Sequence, residues 1–209
     1  MKLYICDINN LLDLSGVELL EEDRRSRLYR YRRQEDRARC LAAGLMLRSV
    51  FGREAAANIG LSETGKPVLS GGPCFNLSHS GDFVVLLEDS QDIGVDVEQI
   101  APWSQPVAER VFTEKEQMWL LTQPTDAAFY RLWTGKEAIM KALGLGFRLA
   151  PESFEILPDS AGPNLVCGHS WYLHWLEIQG HMLCAASERP EDVPVPIVLS
   201  KRELLNHDL

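Results

Sequence analysis

The sequence predicts an α+β protein built from two similar halves in pseudo-twofold arrangement, each with helices packed on a small antiparallel sheet. Three observations carry this expectation. Both halves run helices first, then a strand and a hairpin. Short apolar runs are separated by tight turns, at Gly81-Asp82 and Gln179-Gly180. Helical stripes are strongest in two segments, 34–51 and 125–143. Two prolines in Ile100–Pro106, IAPWSQP, mark the joint, so the expected halves are 1–102 and 103–209. Ligands often bind where similar halves meet, which puts the expected site at their interface.

The chain opens with a strand at Leu3–Cys6, and Gly16 to Arg33 reads as a polar, arginine-rich helix. Gln34 to Phe51 reads as a second helix, its apolar stripe being Ala38, Leu41, Ala42, Leu45, Met46 and Val50, with Gly52 ending it. The turn-rich stretch SETGKPVLSGGP leads to the strands Cys74–Ser80 and Phe83–Glu88, and Asp89–Asp92 turns the chain into Ile93–Glu98. Val107 to Leu121 reads as helical, with a fresh turn near Thr113. Thr125 caps a helix striped by Phe129, Leu132, Trp133, Met140 and Leu143, which Gly144 and Gly146 stop. Ser153–Leu157, Trp171–Ile178 and His181–Ser187 read as strands. The tail from Pro190 has no assigned role.

Of the 209 residues, 45% are hydrophobic and 24% charged, so a core can form without disulfides. The five cysteines (Cys6, Cys40, Cys74, Cys167, Cys184) form no C-x-x-C pair, which favours a reducing compartment over a zinc site. MKLYICDINN carries no signal-peptide pattern, and no apolar run reaches membrane-spanning length. The expectation is a cytoplasmic protein with no membrane partner. A net charge of −9 argues against a nucleic-acid partner. Between Arg24 and Arg39, however, lie eight arginines. They either meet a local anion, such as a phosphate or an acidic partner, or form a solvated face paired with Glu21, Glu22, Asp23, Glu35 and Asp36.

Three constellations carry chemistry. In Ile93–Glu98, IGVDVE, strand alternation puts Gly94, Asp96 and Glu98 on one face. Two carboxylates about 6–7 Å apart beside a residue without a side chain suit a hard divalent cation. The alternative is the solvated face of an antiparallel strand. In Trp133–Lys141, WTGKEAIMK, Glu137 and Lys141 share a helix face with Trp133, at the edge of the buried stripe. The alternative is a surface ion pair. Lys136 falls inside the apolar stripe, so it either snorkels to the surface or lines a site. In Asn76–Ser80, NLSHS, Ser78 and His79 offer a hydroxyl and an imidazole beside a glycine turn, suited to a phosphate oxygen; a satisfied histidine near a turn is the alternative. His169, His174, His181 and His207 show no metal-ligand spacing and read as structural or surface residues. Lys66, in Gly65-Lys66-Pro67, puts a cation in a tight turn.

The order GKP at 65–67, FNLSHSG at 75–81, IGVDVE at 93–98 and WTGKEAIMKALG at 133–144 resembles the 4′-phosphopantetheinyl transferase superfamily. It is similar to the longer, two-domain branch that primes nonribosomal peptide synthetases. The likeness covers residues 20–145 well and the C-terminal third by architecture only. It implies an enzyme that moves the phosphopantetheine arm of coenzyme A to a serine of an apo acyl- or peptidyl-carrier protein, releasing adenosine 3′,5′-bisphosphate. It implies Mg²⁺, with Mn²⁺ as an alternative, on Asp96, Glu98 and Glu137. It sets Lys141 by the pyrophosphate, Ser78 and His79 on the nucleotide phosphates, and Lys66 near the adenine and 3′-phosphate. Arg24 and Arg27 match the family's basic pair for that phosphate by spacing alone. Cys40 stands where the family often has threonine, so that hydroxyl contact is missing.

The residues' own chemistry agrees. Coenzyme A's pyrophosphate repels a nucleophile, and a cation on three carboxylates would neutralise it. Glu137, directly or through a water, is the first choice for the base that takes the serine proton, and Lys141 for stabilising the leaving group. Two fused halves make a monomer self-sufficient. Arginines not used by coenzyme A would steer an acidic carrier. The rival functions are a Mg²⁺-dependent pyrophosphohydrolase and a non-catalytic arginine-rich binding module, the latter favoured only by Tyr29 and Tyr31 among the arginines.

Overall fold

A computed structural model describes residues 1–160, 162–190 and 193–206. Strand β1 (Lys2–Asp7) leads through two short 3₁₀ turns to α1 (Glu22–Arg30), α2 (Gln34–Phe51) and α3 (Arg53–Ala57). The strands β2 (Gly60–Leu61) and β3 (Pro67–Val68) form a small ribbon before β4 (Cys74–Ser80), β5 (Phe83–Asp89) and β6 (Ile93–Gln99). Helices α4 (Gln105–Val111), α5 (Glu114–Thr122) and α6 (Asp126–Ala142) follow, then β7 (Asn164–Val166), β8 (His169–Ile178), β9 (His181–Ser187), β10 (Pro196–Val198) and α7 (Lys201–Leu205).

The result is an α+β protein with two four-stranded sheets, ordered β10-β1-β5-β4 and β6-β9-β8-β7. Strand alternation explains how they stack. Tyr4, Cys6, Val84 and Leu86 face α2, while Leu3, Ile5, Val85 and Leu87 meet Ile93, Val95, Val97, Leu183 and Ala185 of the other sheet. The opposite face of that second sheet, through Cys184 and Ala186, packs on α6. Helices therefore cover the outside and the two sheets bury their inner faces against each other. This is why FVVLL at 83–87 is apolar throughout instead of alternating.

Two local expectations are corrected. Gly16 to Arg33 is not one helix: a 3₁₀ turn at Val17–Leu19 precedes α1, and the chain is extended at Tyr31 and Arg33. Ser153–Leu157 is not a strand. The Ile156 N–H donates to Glu116 Oε1 at 2.7 Å, and the carbonyls of Pro151 and Phe154 each accept from Lys136 Nζ at 2.7 Å. Side chains satisfy this backbone in place of a neighbouring strand. The tail gains a structure the sequence did not signal. β10 pairs in parallel with β1, and Leu204 of α7 is buried in the cluster around α2.

Strand β6 lies close under α6. A Cβ at Gly94 would fall inside the carbonyl oxygen of Ala138 and 2.6 Å from the Ala142 nitrogen. Both are backbone atoms and cannot swing aside. Gly94→Ala is expected to lift α6 and cost about 1–3 kcal/mol, read as a lowered midpoint in urea. An unchanged midpoint would show that helix and strand are not held this close.

Candidate active site

The site is set by two elements that cross. On β6, Asp96 and Glu98 share the face of Gly94, toward α6. On α6, Glu137 and Lys141 sit one turn apart. The capping of α6 fixes its start: Thr125 Oγ1 accepts the Ala128 N–H at 3.1 Å. Asp96 is 3% exposed, which rules out the solvated-face alternative for its strand. Lys141 Nζ reaches Asp96 Oδ1 at 2.6 Å and Ser78 Oγ at 2.8 Å. Ser78 in turn donates to Asp96 Oδ1 at 2.9 Å and accepts the Val97 N–H at 3.3 Å. So Glu137–Lys141 is not a simple surface pair; Lys141 points across to β6.

Electrostatics tie the third carboxylate to the group. Burial, then Asp96, then Glu98 push the Glu137 carboxyl up to about 7, against the pull of Lys141. Burial and Asp96 also raise Glu98, opposed by hydrogen bonds from Ser80 and Trp133. Three carboxylates against one ammonium leave the cluster short of positive charge. Asp96 Oδ2 is buried with no hydrogen-bond partner. An all-oxygen donor set with one bare acceptor and surplus negative charge fits a hard divalent cation. Among the described residues, no three acid, histidine or cysteine side chains stand at the spacing of a formed metal site. Lys141 already occupies Asp96 Oδ1.

Of the other predicted residues, His79 and Lys66 lie beside these two elements, and Arg24, with the Arg27 charge near it, lies against α2. His79 is exposed at the end of β4. Desolvation by its neighbours and the nearby Arg39 cation hold its imidazole below the usual range, with a smaller push from Lys141. Arg39 also donates to the Gly81 carbonyl at 2.6 Å, fixing the turn beside His79. Arg24 lies against α2, its stem over Gly44 and its backbone carbonyl 4.0 Å from Cys40 Sγ. Burial and then the Arg27 charge make its guanidinium a weaker base, so the two arginines form a concentrated cationic corner. Lys66 Nζ donates to Ala142 O at 2.8 Å and Ile93 O at 3.4 Å, where α6 ends and β6 begins.

Lys136 neither snorkels nor lines this site. It is 0% exposed, with Nζ 2.8 Å from Glu116 Oε2. His174 and His181 are buried, His169 is exposed beside Glu188, and His207 lies outside the described residues. All five cysteines are free. No helix among the described residues is long and apolar enough to cross a membrane. Sequence reasoning missed Ser80, which donates to Glu98 Oε2 at 2.7 Å, and Trp133 as a partner of Glu98. The available signal for Ser80 was its place two residues past Ser78 on an alternating strand.

Residues 92–197 match the family model described as the 4′-phosphopantetheinyl transferase superfamily. Residues 13–91 match the model for the N-terminal part of a 4′-phosphopantetheinyl transferase. The chain belongs to the 4′-phosphopantetheinyl transferase superfamily. The two matches meet immediately before β6, the strand bearing Asp96 and Glu98. The chain is 32% identical to the 4′-phosphopantetheinyl transferase Sfp of Bacillus subtilis, over 90% of this chain and 91% of that one. It is 32% identical to the 4′-phosphopantetheinyl transferase psf-1 of Bacillus pumilus, over 81% of this chain and 85% of that one. It is 34% identical to the L-aminoadipate-semialdehyde dehydrogenase-phosphopantetheinyl transferase of Xenopus laevis, over 66% of this chain and 55% of that one. These likenesses place it in the longer, nonribosomal-peptide-synthetase-priming branch, as an enzyme of phosphopantetheine transfer to carrier proteins.

Proposed function

We propose that this transferase uses coenzyme A and Mg²⁺, attaches the phosphopantetheine arm to a serine of an apo acyl or peptidyl carrier protein, and releases adenosine 3′,5′-bisphosphate. The observation that carries the reading is the convergence of Asp96 and Glu98 from β6 with Glu137 and Lys141 from α6, around a buried bare carboxylate oxygen. Asp96, Glu98 and Glu137 would hold the cation, which would supply neutralisation of the pyrophosphate and of the charge that develops on it. Glu137, directly or through a water, would accept the proton of the incoming serine hydroxyl. Lys141 moves its charge from Asp96 toward the leaving phosphate. Ser78 and His79 flank the nucleotide phosphates, and Arg24, Arg27 and Lys66 take the 3′-phosphate end. To donate to phosphate, Ser78 must release Asp96, since its only proton is committed there.

The working enzyme is read as a cytoplasmic monomer with halves 1–102 and 103–209, β6 belonging to the first by sequence. The test is intact mass spectrometry of apo carriers incubated with the enzyme, coenzyme A and Mg²⁺, with an EDTA control. The panel includes a carrier domain of an aminoadipate-semialdehyde dehydrogenase, the target in one relative's name. A metal-dependent gain of one phosphopantetheine supports the reading. Coenzyme A consumed with every carrier unmodified would make it a pyrophosphohydrolase.

Arg30 and Arg32 are exposed and free to meet an acidic carrier. Arg30→Ala is expected to weaken carrier capture several-fold at low salt and little at high salt, measured as the carrier KM. A KM that ignores both salt and Arg30→Ala would remove the arginine corner from carrier recognition.

A further inference from the structure

The sheets meet at β4 and β6, and among the described residues these strands share no backbone ladder. Polar side chains lace them instead. Asn76 Oδ1 accepts the Val95 N–H at 3.0 Å, Ser78 Oγ the Val97 N–H at 3.3 Å, and Ser80 Oγ the Gln99 N–H at 3.1 Å. The three acceptors are alternate residues of one strand and the donors alternate residues of the other. A serine hydroxyl that accepts a backbone N–H has its oxygen anchored, and its single proton must point elsewhere. At Ser78 it points to Asp96 Oδ1, where Lys141 also binds. At Ser80 it points to Glu98 Oε2 at 2.7 Å.

We propose that Ser80 is a positioning residue for Glu98: anchored on the Gln99 N–H, its hydroxyl orients the Glu98 carboxylate for the cation. The inference rests on the three-carboxylate reading given above. Ser80 touches neither the nucleotide nor the reacting atoms in that reading; it acts through Glu98. The hydroxyl belongs to the first sheet and the carboxylate to the second. The shape of the cation site is therefore set by how the two sheets dock. A Glu98 released from Ser80 keeps its charge but samples several rotamers, so the loss appears as cation affinity.

The test is Mn²⁺ binding followed by electron paramagnetic resonance, on the full chain saturated with coenzyme A and without carrier, so that nothing turns over. Ser80→Ala is expected to weaken Mn²⁺ binding about 10-fold or more. Ser80→Thr keeps the hydroxyl and is expected to restore it. The Gln99 N–H is exposed and can turn to water, so melting of Ser80→Ala in EDTA is expected to match the wild type within about 2 °C. Equal affinities in wild type and Ser80→Ala would overturn this inference alone. So would a threonine variant as weak as the alanine one. A wild type that binds no Mn²⁺ would overturn the three-carboxylate reading, and this inference with it.

Discussion

Glu137→Gln is expected to lower carrier modification by at least about 10²–10³-fold and to yield a protein more stable than the wild type in EDTA at pH 8. The two effects share one cause. Glu137 stands among Asp96 and Glu98, and burial and repulsion raise its carboxyl to about 7. The folded chain thus binds this proton more tightly than the unfolded chain, whose value stays near 4.5. With a raised carboxyl pKa, the linked stability is fully present below about 4.5 and is lost as pH climbs through about 7. At pH 8 the wild type has lost it. Glutamine never carries the charge, so the variant should gain about 1–3 kcal/mol over the wild type there. The gap should close at pH 5. Added Mg²⁺ should also close it, by stabilising the wild type and not the variant. Thermal melts at pH 5 and 8, with EDTA or Mg²⁺, read all of this beside the mass-spectrometric rate. A near-normal rate would remove Glu137 from the chemistry, and a variant less stable at pH 8 would contradict the electrostatics of the cluster.

Such a variant separates catalysis from folding, which matters because both depend on the same crossing. Gly94 lets α6 approach β6, and that approach puts Glu137 and Lys141 over Asp96 and Glu98. The charge crowding is what the proposed cation site would require before its cation arrives. Lys141 offsets part of it by sitting on Asp96 at 2.6 Å. The same ammonium is then in reach of any phosphate that enters, so its resting partner and its proposed working partner compete for it.

Much of this was legible in the chain. Apolar runs on either side of the Gly81-Asp82 turn found β4 and β5, and strict alternation found β6, each to within a residue. The stripe and Gly52 gave α2 its limits, Gln34 and Phe51. What escaped depends on distant partners. β10 is three residues whose pairing lies on β1, at the other end of the sequence. The backbone around Phe154 looked like a strand because it is apolar and extended, yet its hydrogen bonds go to Glu116 and Lys136. The burial of both faces of β6 was hidden for a similar reason: alternating acids on a strand normally face water, and only the crossing helix covers them. Nothing local in NLSHS announces that its hydroxyls replace a ladder.

Lys136→Met is expected to cost about 3–5 kcal/mol of stability while leaving the chemistry of the folded enzyme nearly intact. The ammonium is fully buried, and its three N–H donors are taken by Glu116 Oε2 at 2.8 Å and by the carbonyls of Pro151 and Phe154 at 2.7 Å each. Glu116 is equally committed. Its Oε2 also accepts the Thr113 N–H at 2.7 Å, closing the capping box of α5, and its Oε1 accepts the Ile156 N–H at 2.7 Å. Burial pushes Lys136 down and Glu116 up, and each charge is held by the other and by these hydrogen bonds. The pair thus pins α6, α5 and the 151–156 segment at one point. Methionine fills much of the volume but leaves a buried carboxylate without its cation and two carbonyls without a donor, which is the costly way to break a buried pair. For a chain of this size the melting point should fall by roughly 10 °C. Well below that temperature, the transfer rate should stay within about threefold of wild type, because Lys136 points away from the β6 carboxylates toward α5. A rate loss comparable to that of Glu137→Gln, in a variant still folded by circular dichroism, would put Lys136 in the site after all. Glu116→Gln in the same background removes the orphaned charge at the cost of one accepted backbone N–H, since the amide nitrogen cannot accept, so the double variant should recover part of the lost stability. That recovery distinguishes an unpaired buried charge from a simple packing defect, which the second substitution would only deepen.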